Sequence, residues 1–142
     1  MKKIIIISVI AVTMTACTSS ENANAAERKM EYAEFIDNPT EISFDEMEFD
    51  FGKVQDGEEV THTFKFKNTG ETQLVLLDVK ATCGCTVPQD WPEYPIAPGE
   101  TGEITVVFDS SGKVGNVRKN VTVEANTNPT TSMITLVGVV TE

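Results

Sequence analysis

The chain has 142 residues, of which 40% are hydrophobic, and its formal net charge of −11 comes from 22 acidic and 11 basic residues. This length fits one domain with a modest core. Nucleic acids and anionic membrane surfaces repel so acidic a chain, which argues against a function that recognises phosphates, so we expect no nucleic-acid partner. The excess of carboxylates is typical of a solvated protein surface.

The N-terminus has the parts of a secretory signal peptide. Lys2 and Lys3 form a basic start, and the apolar run 4–12 is shorter than the roughly 20 residues that span a bilayer. The segment ends in Thr13-Met14-Thr15-Ala16-Cys17. This end resembles a bacterial lipobox, in which an apolar residue and two small residues precede the cysteine that becomes lipidated.

The lipobox resemblance implies that Cys17 is diacylated, that the signal peptide 1–16 is removed, and that the new amine is acylated as well. Acyl chains such as palmitate anchor a protein because each buried CH₂ contributes about 0.8 kcal/mol. We therefore expect a membrane partner through Cys17, with 17–40 as lipidated cysteine and flexible tether. Thr18, where inner-membrane lipoproteins often carry Asp, favours the outer membrane and leaves the periplasmic or surface face open.

Residues 41–142 are predicted to form an all-β domain. Hydrophobic and polar residues alternate there, most clearly over 60–67, where His62, Phe64 and Phe66 share one face. About seven such segments with turn signals between them predict a β-sandwich. The only helix expected is a short one over 27–36, in the tether.

Two stretches depart from the alternation. The apolar run 73–79 is expected to be a strand that is central or buried on both faces. The segment 88–99 holds four prolines, and because proline donates no ladder hydrogen bond it cannot form a central strand.

Several short motifs follow one another in order: Asp50-Phe51-Gly52, Phe64-Lys65-Phe66-Lys67-Asn68-Thr69-Gly70, Cys83-Gly84-Cys85-Thr86, Pro95-Ile96-Ala97-Pro98-Gly99-Glu100 with Gly102, Gly115, Ala125-Asn126 and Leu136-Val137-Gly138-Val139-Val140. Over about residues 41–140 they resemble the bacterial DUF1573 family, which is related to the Hydin-like and ASH immunoglobulin-like domains. The resemblance implies an immunoglobulin-like sandwich. It implies no activity, because the family has no settled biochemical function and a fold does not determine one.

Cys83 and Cys85, which flank Gly84, are the candidate chemical site. Three states fit this spacing: a labile disulfide, a site for a soft metal such as Cu(I), or reduced thiols that simply pack. A closed zinc site is disfavoured because it needs four ligands, and His62 is the only histidine. The spacing also differs from the Cys-x-x-Cys of thioredoxin-like proteins. We expect no cofactor.

Trp91 and Tyr94 in the proline-rich segment are candidate partner contacts, because aromatic side chains on a stiff loop anchor partners. The alternative is that they cap the core. No catalytic residue is predicted, since no Ser, Cys or second His is placed by sequence near His62, which is expected at the core edge with a hydrogen-bond partner.

The sequence thus favours a non-enzymatic lipoprotein, anchored in the cell envelope, whose immunoglobulin-like module binds a protein or glycan partner. The alternative is a thiol redox or copper-handling protein that uses Cys83-Gly84-Cys85. A domain that merely spaces the envelope is a third interpretation.

Overall fold

The computed structural model describes residues 32–142. The predictions for residues 1–31, which include the signal peptide and the lipidated Cys17, lie outside the described residues. The helix α1 spans Ala33–Ile36, and the strands follow as β1 Ile42–Phe44, β2 Glu48–Gln55, β3 Glu59–Asn68, β4 Leu76–Ala81, β5 Thr86–Asp90, β6 Thr101–Asp109, β7 Gly115–Ala125 and β8 Thr131–Thr141.

The strands form two four-stranded sheets with the orders β1-β3-β6-β5 and β2-β8-β7-β4. Neighbouring strands are antiparallel except for β2, which runs parallel to β8. The predicted β-sandwich is confirmed, with eight strands where about seven were expected. The break over residues 45–47 separates β1 from β2 and sends them to different sheets.

The core lies between the sheets and follows the predicted alternation. Phe64 and Phe66 of β3 are completely buried, whereas Lys65 and Lys67 between and after them are exposed. Burial of one such large apolar side chain contributes roughly 1.5–3 kcal/mol. The inward faces of β6, β7 and β8 complete the same cluster, so the period-two pattern of the sequence accounts for how the sheets face each other.

Of the two alternatives for the apolar run 73–79, burial on both faces is confirmed and a central position is wrong. The consecutive residues Leu74, Val75, Leu76 and Leu77 are all buried, but the run ends in β4, which is an edge strand of its sheet. The covering element is a loop, since the Leu74 backbone exchanges hydrogen bonds of 2.9 and 2.8 Å with Ile96 in the proline-rich segment. The prediction for proline is confirmed, because Pro88 lies in the edge strand β5.

Residues 32–40, which the sequence assigns to the tether, are instead hydrogen-bonded to the sandwich. The Tyr32 hydroxyl donates to the Glu93 carbonyl at 2.7 Å, and the Thr40 amide donates to the Asn126 carbonyl at 2.9 Å. The helix expected over 27–36 is a single turn in the described part, and it ends before Asn38-Pro39. We call this end of the sandwich, marked by Thr40, Asn68 and Asn126, the entry end.

Asn126 is a buried connector at the entry end. Its Oδ1 accepts the Val75 amide at 2.7 Å, and its Nδ2 donates to the carbonyls of Gln73 at 2.9 Å and Phe35 at 3.1 Å. One side chain thus joins the end of β7, the segment before β4 and α1. Buried backbone groups need such partners because an unpaired one costs free energy.

Asn68 is a second side chain that joins separate segments by hydrogen bonds, at the end of β3. Its Nδ2 donates to the carbonyls of Thr72 at 2.8 Å and Ile96 at 2.9 Å, while its Oδ1 accepts the Thr40 hydroxyl at 2.9 Å. Its carbonyl accepts the Gly99 amide at 2.9 Å. A side chain that the sequence marks only as part of a turn therefore holds the proline-rich loop in place.

Candidate functional site

The single histidine lies between the two sheets and contacts two aromatic rings and a carboxylate. His62 on β3 stacks on Phe49 of β2, with ring centroids 3.6 Å apart and planes 5° apart, and meets Phe64 edge-on at 4.7 Å. Its Nε2 is 2.8 Å from the Glu46 carboxylate. The expected core-edge imidazole with a hydrogen-bond partner is confirmed, and its contacts are those of a structural residue that links the sheets.

The two cysteines lie in the connection from β4 to β5, where the chain crosses between the sheets. The crossing is joined to β6, since the Asp109 amide donates to the Cys85 carbonyl at 2.9 Å. Strand β6 runs nine residues from Thr101, close to the entry end, to Asp109. At about 3.3 Å per residue this places the cysteines roughly 26 Å from the entry end.

The structure joins Cys83 and Cys85 in a disulfide with their Cα atoms 5.4 Å apart. This is the first of the three states that the spacing allows, and Cu(I) would need the pair in its reduced form. The cysteines lie in a turn rather than on a strand, and both are half-buried. Cys85 packs against the core, while Cys83 Sγ lies 3.7 Å from Thr86 Oγ1.

A carboxylate, that of Asp109, lies beside the cysteine crossing. The hydroxyl of Ser111 and then its amide, which is 2.9 Å from the Asp109 carboxylate, lower the pKa of Asp109, and Lys113 lowers it further. A lowered pKa keeps this carboxylate ionised as the pH falls, until the lowered value is reached. Asp109 therefore keeps its negative charge to a lower pH than an ordinary aspartate does.

The two candidate aromatic contacts, Trp91 and Tyr94, have different environments in the structure. Trp91 is half-buried and packs against the core, which is the capping role that the sequence left as the alternative. Tyr94 is 66% exposed and lines a shallow groove together with Ile96 and residues 99–101. Only Tyr94 is therefore placed to touch a partner with most of its ring.

The backbone around Tyr94 is held in place. Asn68 bonds to Ile96 on one side and to Gly99 on the other, and Ile96 is paired with Leu74. The Glu100 carboxylate accepts the Ala97 amide at 3.2 Å. An exposed aromatic on a fixed loop binds with little loss of conformational entropy.

Sequence reasoning missed the other wall of this groove, Gly99, Glu100 and Thr101. The turn signal Pro98-Gly99 directly before a strand is the pattern that marks it. It also missed that the groove lies at the entry end, which follows from the bond between Tyr32 and Glu93.

Within residues 32–142, no helix is both long and apolar enough to cross a membrane. No group of three His, Cys, Asp or Glu side chains in that range is arranged to hold a metal ion.

Comparison with known proteins identifies the family at the level of sequence. The profile of DUF1573, described as a protein of unknown function, matches residues 42–140. A comparison with curated proteins gave no match.

Solved structures share the fold at low identity. A domain of human CEP192, its ASH/PapD-like domain 7, is 13% identical with a TM-score of 0.59, and the match covers 96% of this chain and 97% of that one. A protein of unknown function from Porphyromonas gingivalis W83 is 15% identical with a TM-score of 0.62, over 71% of this chain and 47% of that one.

An enzyme also contains a domain of this shape. The secreted serine protease VesC from Vibrio cholerae is 12% identical with a TM-score of 0.59, over 79% of this chain and 26% of the protease. The chain thus spans about a quarter of VesC and about half of the Porphyromonas protein. At these identities the likeness concerns the fold alone.

Proposed function

The chain belongs to the DUF1573 family, whose function is unknown and whose domain is here an immunoglobulin-like sandwich, and we propose that it is a non-enzymatic binding module anchored in the bacterial cell envelope. A lipid on Cys17 holds it to the membrane, most consistently the outer membrane. A protein or glycan partner contacts the groove of Tyr94.

The observation that carries the binding role is the exposure of Tyr94. Its ring is 66% exposed, whereas every other aromatic side chain that the structure describes is buried or half-buried. A tyrosine that is rigidly held and left in solvent offers a large apolar face and a hydroxyl at little entropic cost. Tyrosine is enriched among the residues that dominate binding energies.

The non-enzymatic character is supported by the state of the one histidine. His62 is stacked on Phe49 and bonded to Glu46, so its imidazole serves packing rather than a reacting group. Its position between the sheets also separates it from the groove, which lies on the β5–β6 loop.

The lipid anchor and the groove are tested together in the native host with three variants of the full-length chain. Cys17→Ser is expected to move the protein from the membrane fraction to the soluble fraction, because the acyl chains are lost. Tyr94→Ala is expected to leave the protein in the membrane and to weaken retention of its envelope partner by at least tenfold. Co-purification from detergent extracts measures the second effect.

Met133→Ala is the matched control, because Met133 is 49% exposed on β8, outside the groove. Protease treatment of the retained material distinguishes a protein partner from a glycan. Equal retention by the Tyr94 and Met133 variants would contradict the groove as the contact. Persistent membrane attachment of the Cys17→Ser variant would contradict the anchor.

A further inference from the structure

We propose that Cys83-Gly84-Cys85 is a reversible thiol–disulfide exchange site, and that its substrates are dithiols. This activity is independent of the binding proposed for Tyr94, because the two sites lie at different ends of the sandwich. The cysteine crossing adjoins the end of β6 at Asp109, whereas the groove of Tyr94 adjoins its beginning at Thr101.

The disulfide borders solvent at Gly84. Both cysteines are half-buried, whereas Gly84 between them is exposed, and a Cβ placed on it would have no atom of a residue other than Cys83 and Cys85 within 4 Å. The tip of the ring therefore faces open space. Access of this kind is a condition for exchange, because a thiolate must reach one of the two sulfurs.

The loop that this disulfide closes is too small for a purely structural bond. The cysteines are separated by two positions in sequence, and a disulfide restricts the unfolded chain least when its loop is short. Folding therefore favours the oxidised pair only slightly. A disulfide that the fold hardly stabilises is one that thiols reduce readily.

Hydrogen bonds that involve neither sulfur hold the crossing in place. The Thr82 amide and hydroxyl donate to the Asn120 carbonyl at 3.2 and 3.3 Å, and the Cys85 carbonyl accepts the Asp109 amide at 2.9 Å. Breaking the S–S bond removes neither the donors nor the acceptors of these bonds, so we expect them to remain when the disulfide is reduced. The two thiols then stay adjacent at a high effective concentration, so that the pair can close again within one molecule.

The two sulfurs are not equivalent. The Thr86 side chain is buried and its hydroxyl lies 3.7 Å from Cys83 Sγ, so it can donate to a thiolate there. Cys85 packs against apolar side chains instead. Cys83 is thus the sulfur that leaves more easily as a thiolate.

Reduction then runs in two balanced steps. In the first step, one thiolate of the dithiol attacks Cys85 Sγ, and the Cys83–Cys85 bond breaks. The electron pair of that bond passes to Cys83. The Cys83 thiolate accepts a hydrogen bond from the Thr86 hydroxyl and then takes up a proton. In the second step, the remaining thiol of the reductant loses its proton and attacks the reductant's other sulfur, which is bonded to Cys85 in the mixed disulfide. This attack releases Cys85 as a thiolate, which then takes up a proton. The dithiol becomes a disulfide, and the pair gains two electrons and two protons.

The test uses the full-length protein in detergent, purified without reductant and then exposed to dithiothreitol or to glutathione at matched potentials. Alkylation followed by intact mass counts the free thiols with time. We expect no alkylation at the start, complete reduction without denaturant, and reclosure on adding the oxidised reagent. A ratio of the dithiothreitol rate to the glutathione rate that exceeds the ratio for a small linear disulfide assigns the site to dithiols; an equal ratio overturns that assignment.

Variants of Thr86 separate an exchange site from a passive disulfide. Thr86→Val is expected to slow reduction about tenfold, because the leaving Cys83 thiolate loses its hydrogen bond, and Thr86→Ser is expected to restore the rate. Tyr94→Ala should leave the rate unchanged, which keeps this test apart from that of binding. The proposal fails if reduction of the wild-type protein needs denaturant, or if the valine and serine variants react alike.

Discussion

Replacing Asn126 with alanine is expected to lower the free energy of unfolding by about 3–5 kcal/mol. The substitution removes the acceptor of the Val75 amide and the donor to the carbonyls of Gln73 and Phe35. Asn126 is 2% exposed and Val75 1%, so water cannot easily replace the lost partners. A buried polar group without a partner costs about 1–3 kcal/mol.

Urea unfolding of the domain, followed by intrinsic fluorescence of Trp91, measures the loss for Asn126→Ala. Asn116→Ala is the control, because Asn116 is an exposed asparagine on the adjoining strand β7 and its removal should change the stability by less than about 0.5 kcal/mol. If both variants unfold at the same urea concentration, Asn126 does not hold the entry end together.

Replacing Gly102 with alanine is expected to cost about 2–3 kcal/mol through overpacking. Gly102 pairs with Phe66 across β6 and β3, and an added Cβ would lie 3.0 Å from one edge atom of the Phe66 ring and closer to two others. Phe66 is completely buried. At these distances either the buried ring or the strand pair must shift.

Thermal unfolding compares Gly102→Ala with Gly84→Ala, which is the same chemical change at a glycine with open space around it. The Gly84 variant should unfold within a few degrees of the wild-type protein, and the Gly102 variant should unfold clearly earlier. A Gly102 variant as stable as the Gly84 variant would show that the Phe66 ring or the β3–β6 pair shifts at little cost.

The sandwich could be predicted because its signal is local. Alternation at Phe64 and Phe66 assigns an inward face without any knowledge of the partner strand. The edge position of β4 could not be predicted in this way. An apolar run predicts that its side chains are buried, but it does not predict which part of the chain covers them. Here a loop residue, Ile96, covers Leu74, and their pairing joins positions distant in sequence.

For the candidate sites, too, one part could be predicted from the sequence and another part required the fold. Spacing singled out Cys83 and Cys85, yet it could not choose among disulfide, metal and free thiols, since all three fit two cysteines around one glycine. Composition singled out Trp91 and Tyr94 together, and only the fold separates a ring that packs on the core from one left in solvent. The other lining residues of the groove, 99–101, are marked only by the turn signal Pro98-Gly99, which predicts a turn and not a groove.

The attachment of residues 32–40 to the sandwich was hidden for a related reason. Tyr32 and Thr40 lie in a polar stretch that ends with proline, which is the composition of a tether. Their hydrogen-bond partners, Glu93 and Asn126, are far away in sequence. The chain therefore enters the domain beside the groove of Tyr94, with the cysteine crossing at the far end.

The most direct test of the binding proposal is photocrosslinking of the full-length protein in its host. Tyr94 is replaced with p-benzoylphenylalanine, and Met133 is replaced in a parallel strain as the control position outside the groove. Light-dependent formation of an adduct of defined mass from position 94, and not from position 133, is the predicted result. No adduct from position 94, or the same adducts from both positions, would contradict the assignment of the Tyr94 groove as the binding site.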